Sequence, residues 1–228
     1  MPIDYNYQDP QARIYLQPIA APSILGLYGF AAATFIVAAH MAHWYGNETS
    51  ELYLFPFVAI FGGLAQFLAG MWAFRARDGV ACAMHGLWGS MWMAYGVLSM
   101  LFAFGKIPPP SDRVPEIGYW FIVAAAITWV GAVAAGAENK GFSTTLTFLA
   151  AGATTAAIAN LTGAEWLMVV TGYLFIIASI AGWYTASALM LSEAYGRPVL
   201  SLGRSRRMRE MPPVSIGVGE PGVIRGQA

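Results

Sequence analysis

Apolar residues run in six long blocks along the chain, each broken from the next by a short cluster of charged or turn-forming residues. The blocks extend from about Pro22 to Trp44, Tyr53 to Phe74, Gly79 to Phe104, Ile117 to Ala137, Phe142 to Leu161 and Glu165 to Ser192. Each matches the ~20 residues that an α-helix needs to cross a bilayer. The breaks hold Gly46-Asn47-Glu48, Arg75 to Asp78, Pro108-Pro109-Pro110 with Asp112 and Arg113, Glu138-Asn139-Lys140, and Leu161-Thr162-Gly163. Such clusters suit short connections between neighbouring helices. The pattern predicts an all-α polytopic membrane protein, with a six-helix transmembrane domain over residues 21–196. A polar N-terminal tail, 1–20, precedes it. A second tail, 197–228, is first basic (Arg204, Arg206, Arg207, Arg209) and then rich in Pro and Gly.

Composition narrows the class. Of 228 residues, 57% are hydrophobic and 11% charged, against roughly 25% charged in an ordinary soluble domain. A soluble fold of this size has too little interior to hide that much apolar surface. The formal net charge of zero disfavours a nucleic-acid partner. The single cysteine, Cys82, excludes an intrachain disulfide and a cysteine metal cluster. The first 20 residues lack the basic start and apolar core of a secretory signal, so they are expected to stay on the mature protein. With six spans both termini share one side. That side carries Arg13, Arg75, Arg77, Lys140, Arg197, the four tail arginines and Arg225, leaving Lys106 and Arg113 on the other. The asymmetry places both termini in the cytoplasm of a multi-pass protein of the inner or plasma membrane. Trp44, Tyr45, Tyr53, Trp72, Tyr119, Trp120, Trp166 and Tyr195 fall near the span ends, as an interfacial aromatic belt requires.

Chemistry within the spans is sparse. No Lys, Arg, Asp or Glu sits in the middle of any span, which argues against a buried carboxylate relay and against a fixed cationic anion trap. The titratable groups inside spans are His40, His43, His85 and Cys82. His40 and His43, three apart, are expected to share a helix face near its outer end, either as a pH-sensing or substrate-facing pair or as interfacial hydrogen-bonding groups. No Ser–His–Asp or Cys–His set and no metal or haem ligand set is present, so neither an enzyme nor a cofactor is expected. Among uncharged polar residues, Gln66 and Asn160 stand out, because their amides do not easily satisfy themselves within a helix. For Ser and Thr, bonding back to their own helix is the default. Gly62, Gly63, Gly70, Gly86, Gly89, Gly131 and Gly182 allow close helix approach.

Four segments carry a resemblance. Ala21-Pro22-Ser23-Ile24-Leu25-Gly26-Leu27-Tyr28-Gly29-Phe30 resembles the N-P-A-P-L-G-L-x-G-F signature that opens the acetate uptake transporter family. Phe61 to Gly70 resembles its G-G-x-A-Q-x-x-A-G segment, and Gly89-Ser90-Met91-Trp92 its G-S-F-W. Glu193-Ala194-Tyr195-Gly196-Arg197-Pro198-Val199-Leu200-Ser201-Leu202-Gly203 resembles its E-x-F-G-R-x-V-L-P-x-G. The pieces keep family order and cover about Pro22 to Gly203. The resemblance implies six transmembrane helices per subunit and a homo-hexameric ring with one pore per subunit among membrane lipids. It implies movement of acetate and similar short monocarboxylates, with succinate in some members. It also implies a hydrophobic constriction, which falls on Phe30, Trp88 and Leu149 here.

Departures bear on selectivity. Ala21 replaces the usual Asn, and Ile24 the second Pro. Ala73 and Leu189 stand where acidic residues are common, and His85 and Trp88 where smaller or phenolic ones are. The expected mechanism is a narrow channel-like path, proton-linked or not. Gln66, Asn160 and the first-helix N–H groups of Leu25, Gly26 and Leu27 would flank the constriction, and His40 would tune pH response. The alternative cargoes are urea, short amides or ammonia on the same architecture. A histidine-based redox subunit and a sensor without flux are the rivals from other classes.

Overall fold

The computed structural model describes residues 19–47, 49–107 and 114–203. Arg13, Pro108-Pro109-Pro110, Asp112, Arg113, the tail arginines from Arg204 and the Pro/Gly-rich end lie outside the described residues. Within them are six helices long and apolar enough to cross a membrane. The first, α1, spans Pro22–Met41 and opens with proline in its first turn, where a missing N–H costs nothing. The second, α2, is three consecutive segments, Ser50–Phe57, Val58–Ala65 and Gln66–Ala76, of which the middle one is π-helical. It is followed by α3, Gly79–Ala103, whose cap Asp78 accepts the Ala81 N–H at 2.8 Å. Then come α4, Pro115–Gly136, and α5, Lys140–Thr162, capped by Asn139 on the Phe142 N–H at 2.9 Å. The last, α6, is Glu165–Tyr195. Gly163 and Gly196, at φ of 72° and 63°, take the left-handed conformation that ends α5 and α6.

Two expectations need correction. The first helix stops at Met41 rather than near Trp44, and His43 adopts φ of 59°. His40 and His43 therefore share no helix face. The second span is not one regular α-helix. Pro56 removes an amide donor near its start, and a π-helical stretch follows from Val58 to Ala65.

Chain neighbours are spatial neighbours. Each helix packs on the next, and α6 returns to pack on α1, so the six close into a ring. The seam between α3 and α4 is the sparsest in that ring. Between α2 and α3 the backbones nearly touch. A Cβ on Gly70 would lie 2.8 Å from the Gly86 nitrogen, and one on Gly89 2.7 Å from the Phe67 nitrogen. Only hydrogen at these positions permits such an approach. Large apolar side chains face outward on every helix, among them Leu68, Val97, Val133, Ile158 and Trp183.

Past Gly196 the chain stays with the bundle for a few residues. The backbone N–H groups of Lys140 and Gly141 donate to Gly203 and Leu202 carbonyls, each at 3.2 Å. Tyr184 donates its hydroxyl to Ser201 O at 2.9 Å. The α5 N-terminus, which has no carbonyls of its own to use, is satisfied this way. Residues 201–203 are thus tied to the helices, although the basic tail was expected from residue 197.

At this end of the bundle the α4–α5 turn lies beside the α2–α3 turn. Burial, and then the negative charge of Asp78, push the Glu138 carboxyl from 4.5 up to about 7. A carboxyl whose pKa is raised by folding stabilises the fold while protonated, and that contribution is lost as pH rises between the two values. The thermal stability of the purified protein is therefore expected to fall from pH 4.5 to about 7. Glu138→Gln is expected to flatten that slope and keep its low-pH stability at pH 8. Equal slopes in both proteins would refute the assignment.

Candidate functional site

Phe30 on α1, Trp88 on α3 and Leu149 on α5 come from alternate helices of the ring and belong to one contiguous buried cluster. Each is only 2% exposed, so no water-wide passage reaches them in this structure. Phe30 sits over Gly182 of α6, where an added Cβ would meet its ring at 3.0 Å. Trp88 stands edge-to-face with Phe175 of α6, ring centres 6.2 Å apart at 81°. Phe175 in turn lies over Gly152 of α5, where a Cβ would come within 2.4 Å of its ring. The middle of the ring is thus a dry plug of aromatic and aliphatic groups, seated on glycines.

Polar side chains occur within a turn of the plug along α1, α2 and α3. On the side of the chain termini, one turn before Phe30 and Trp88, His85 is 3% exposed. Its Nε2 lies 3.4 Å from Ser23 Oγ, and its ring fills the space over Gly26. One turn beyond the plug stand Thr34, four residues after Phe30, and Trp92, four after Trp88. Gln66 of α2 lies at the level of the plug itself, its Cβ against Gly29, while the Trp92 ring packs with Ala33 and Val58 in a separate cluster over Gly62. Thr34 Oγ1, Gln66 Oε1 and Trp92 Nε1 are buried without a hydrogen-bond partner. Thr128, Thr145, Thr154, Thr171 and Thr185 each donate to a carbonyl of their own helix. Thr34 does not. Leaving such groups unmet costs roughly 1–3 kcal/mol apiece. The π-helical Val58–Ala65 segment ends immediately before Gln66, where regular α-geometry resumes. It also carries Gly62, where an added Cβ would meet Ala33 of α1 at 2.2 Å and the Trp92 ring at 3.1 Å.

The sequence pattern of the GPR1/FUN34/yaaH family matches residues 5–197. The chain belongs to this family. Among its relatives is the succinate-acetate/proton symporter SatP of Escherichia coli K12, 24% identical over 189 residues, covering 82% of this chain and 97% of the symporter. Another is ammonia transport outward protein 2 of Saccharomyces cerevisiae, 25% identical over 173 residues, covering 74% of this chain and 61% of the yeast protein. A solved structure of the bacterial acetate channel SatP superposes with a TM-score of 0.74 at 20% identity, over 82% of this chain and all of that one. It shows that the six-helix arrangement is shared.

Within this GPR1/FUN34/yaaH fold the expected site residues part company. Phe30, Trp88 and Leu149 come together, and Gln66 lies alongside. Asn160 does not join them: it is half-buried, 11 residues beyond Leu149 on α5, and its amide donates to Ala156 O of its own helix at 2.8 Å. The expectation that this amide needs an outside partner is therefore corrected. His40 is at the far end of α1, its ring against Tyr45, centres 5.9 Å apart, and over Gly46. Leu25 is 45% exposed on the outer face, Gly26 carries the His85 ring, and Leu27 is in the core. Because α1 starts at Pro22, the N–H groups of these three lie past the unsatisfied first positions. The open position ahead of the helix, the Ala21 N–H, is taken at 2.8 Å by the Glu193 carboxylate of α6. Ser23, Thr34, His85, Trp92, Thr128 and Phe175 were not singled out as site residues. A four-residue step along α1 and α3 from Phe30 and Trp88 would have found Thr34 and Trp92.

If the Thr34 hydroxyl has no partner, Thr34→Val removes its desolvation cost at nearly constant volume. The folded protein is expected to gain about 1 kcal/mol, read as a higher unfolding midpoint in detergent. A lower midpoint would mean that the hydroxyl is satisfied.

Proposed function

We propose that this chain carries acetate and similar short monocarboxylic acids across the membrane through the centre of its own six-helix ring, and that the acid crosses undissociated. The observation that carries this reading is the dry plug of Phe30, Trp88 and Leu149, with unpartnered polar atoms of Thr34, Gln66 and Trp92 buried on the helices around it. A bare carboxylate at the bilayer centre costs from roughly 2.5 to above 10 kcal/mol, and among the described residues no Lys or Arg lies within the spans beside the plug to offset that. An undissociated acid offers one O–H donor and one C=O acceptor. Gln66 Oε1 accepts, Trp92 Nε1 donates, and the Thr34 hydroxyl does either. A carboxylate has acceptors only and leaves Gln66 Oε1 facing like charge. Each neutral acid carries its own proton, so proton-linked uptake needs no relay residue. The name of the Escherichia coli relative, a proton symporter for succinate and acetate, supports this cargo and linkage.

The functional unit under this reading is a homo-hexamer in the inner or plasma membrane, with one path per subunit and both termini cytoplasmic. The Lys/Arg asymmetry supports the orientation. An apolar groove of about 480 Å³ between α1 and α6, lined by Leu25, Phe35, Phe61, Ile180 and Trp183, supports a packed or lipid-covered outer face. Ammonia is the second reading. It is favoured by the name of the yeast relative and by the Gln66 oxygen, which accepts from N–H as well as O–H.

The test is labelled acetate uptake into proteoliposomes at fixed total acetate, with flux through protein-free vesicles subtracted. Uptake is expected to fall about tenfold per pH unit above the acid's own pKa, as the undissociated fraction does, and to acidify the lumen. Propionate should compete, and urea should not. Phe30→Ala, in intact oligomer, should weaken discrimination between acetate and longer acids. Uptake independent of pH would overturn the undissociated-acid mechanism. Uptake no greater than through bare lipid, with ammonia flux intact, would favour the second reading.

A further inference from the structure

Trp88 is held from two sides. Its indole Nε1 donates to Thr128 Oγ1 of α4 at 3.1 Å, in a buried contact. The Thr128 hydroxyl, itself fully buried, gives its own proton to Ala124 O at 2.6 Å. With that proton committed, the oxygen presents a lone pair to Trp88 and has no other state to adopt. On its other side Trp88 meets Phe175 edge-to-face, and Phe175 is seated on Gly152. One turn earlier on α3, Met84 sits on Gly131 of α4, where an added Cβ would meet its sulfur at 2.6 Å. Met84 on Gly131 and Trp88 on Thr128 thus bridge the sparsest seam of the ring, and only the second bridge is directional.

We infer that Thr128 is the positioning residue that sets the size cut-off of the path: by fixing the Trp88 indole across the centre of the ring, it excludes acids longer than the shortest. The inference rests on the proposed acid path. Phe30 and Leu149 are held by dispersion contacts alone, which yield gradually as a permeant presses on them. Trp88 yields only when its N–H leaves Thr128, and inside the plug no water waits to replace that partner. Its position is therefore set by one hydroxyl on a neighbouring helix. Any group at 128 that lacks an acceptor frees the ring to swing toward α4 and widen the opening.

The test compares acetate, propionate and butyrate uptake in proteoliposomes carrying equal amounts of intact oligomer. Thr128→Val keeps the volume and removes the acceptor. It is expected to raise the butyrate-to-acetate rate ratio roughly five- to tenfold, the factor that one lost buried hydrogen bond corresponds to. Thr128→Ser keeps the acceptor and should retain the wild-type ratio. In a Trp88→Phe background, where no N–H exists, Thr128→Val should change the ratio no further. General loosening of the fold would change the ratio in both backgrounds alike. A Thr128→Val ratio equal to wild type, or an equal effect in both backgrounds, overturns the inference. Wild-type uptake of acetate is scored separately, so failure of the acid path itself shows as no uptake by any variant.

Discussion

Lipid offers no hydrogen bonds, and the architecture follows from that shortage. Every backbone amide in the hydrocarbon must be met within the chain, so the described residues there are helical. The buried threonines on α4, α5 and α6 obey the same constraint by giving their protons to their own helices. Against this background an unmet polar atom is a real expense. The unmet atoms of Thr34, Gln66 and Trp92 are contributed by α1, α2 and α3. Under the proposed function that polar cost belongs to the path, because packing alone selects for apolar groups of the same shape.

The ring supplies what a path needs from two unequal halves. On one flank α2 lies so close to α3 that only glycine fits at Gly70 and Gly89. On the other, α3 and α4 share few contacts, and a single hydroxyl bridges to the plug's largest side chain. The first flank fixes the position of Trp88 along the bundle; the second decides where its ring points. The π-helical segment belongs to the tight flank. Its extra residue per turn adjusts the register of α2, so that Gly62 faces Ala33 and Trp92 while Gln66, one turn on, lies against Gly29.

The existence and order of the six helices were legible because charge is excluded from hydrocarbon, and the chain gathers its charges at the breaks. Phe30 was legible because it closes a motif. The π-helical stretch was not: in a run such as Val58-Ala59-Ile60-Phe61-Gly62-Gly63-Leu64-Ala65 nearly every position is apolar, so no periodicity distinguishes one helical pitch from another. His43 was placed on a helix because nothing in His-Trp-Tyr forbids one; the left-handed turn there serves a loop that buries His40 over Gly46. Gln66 and Asn160 looked alike as buried amides. Their difference is tertiary: Asn160 reaches its own Ala156 carbonyl, and Gln66 Oε1 has only an acceptor to offer among apolar neighbours.

A path without fixed charge has to discriminate by shape and by the price of wetting, and the arrangement divides those tasks. Under the proposed function, the polar groups around the plug admit a small molecule that brings a donor and an acceptor of its own, and the steps that follow hold on that reading. The plug then measures its apolar part, because each added methylene must find room among Phe30, Trp88, Leu149 and Phe175. Binding energy for a methylene in an apolar pocket is favourable, about 0.8 kcal/mol; a loose pocket would therefore prefer longer acids. Selectivity for short ones requires that the pocket resist expansion, and resistance must come from something stiffer than dispersion. Among the described contacts made by the plug's own side chains, the indole held to Thr128 is the directional one. On this argument the neutrality of the path and the rigidity of Trp88 go together: a site that cannot select by charge must hold its size.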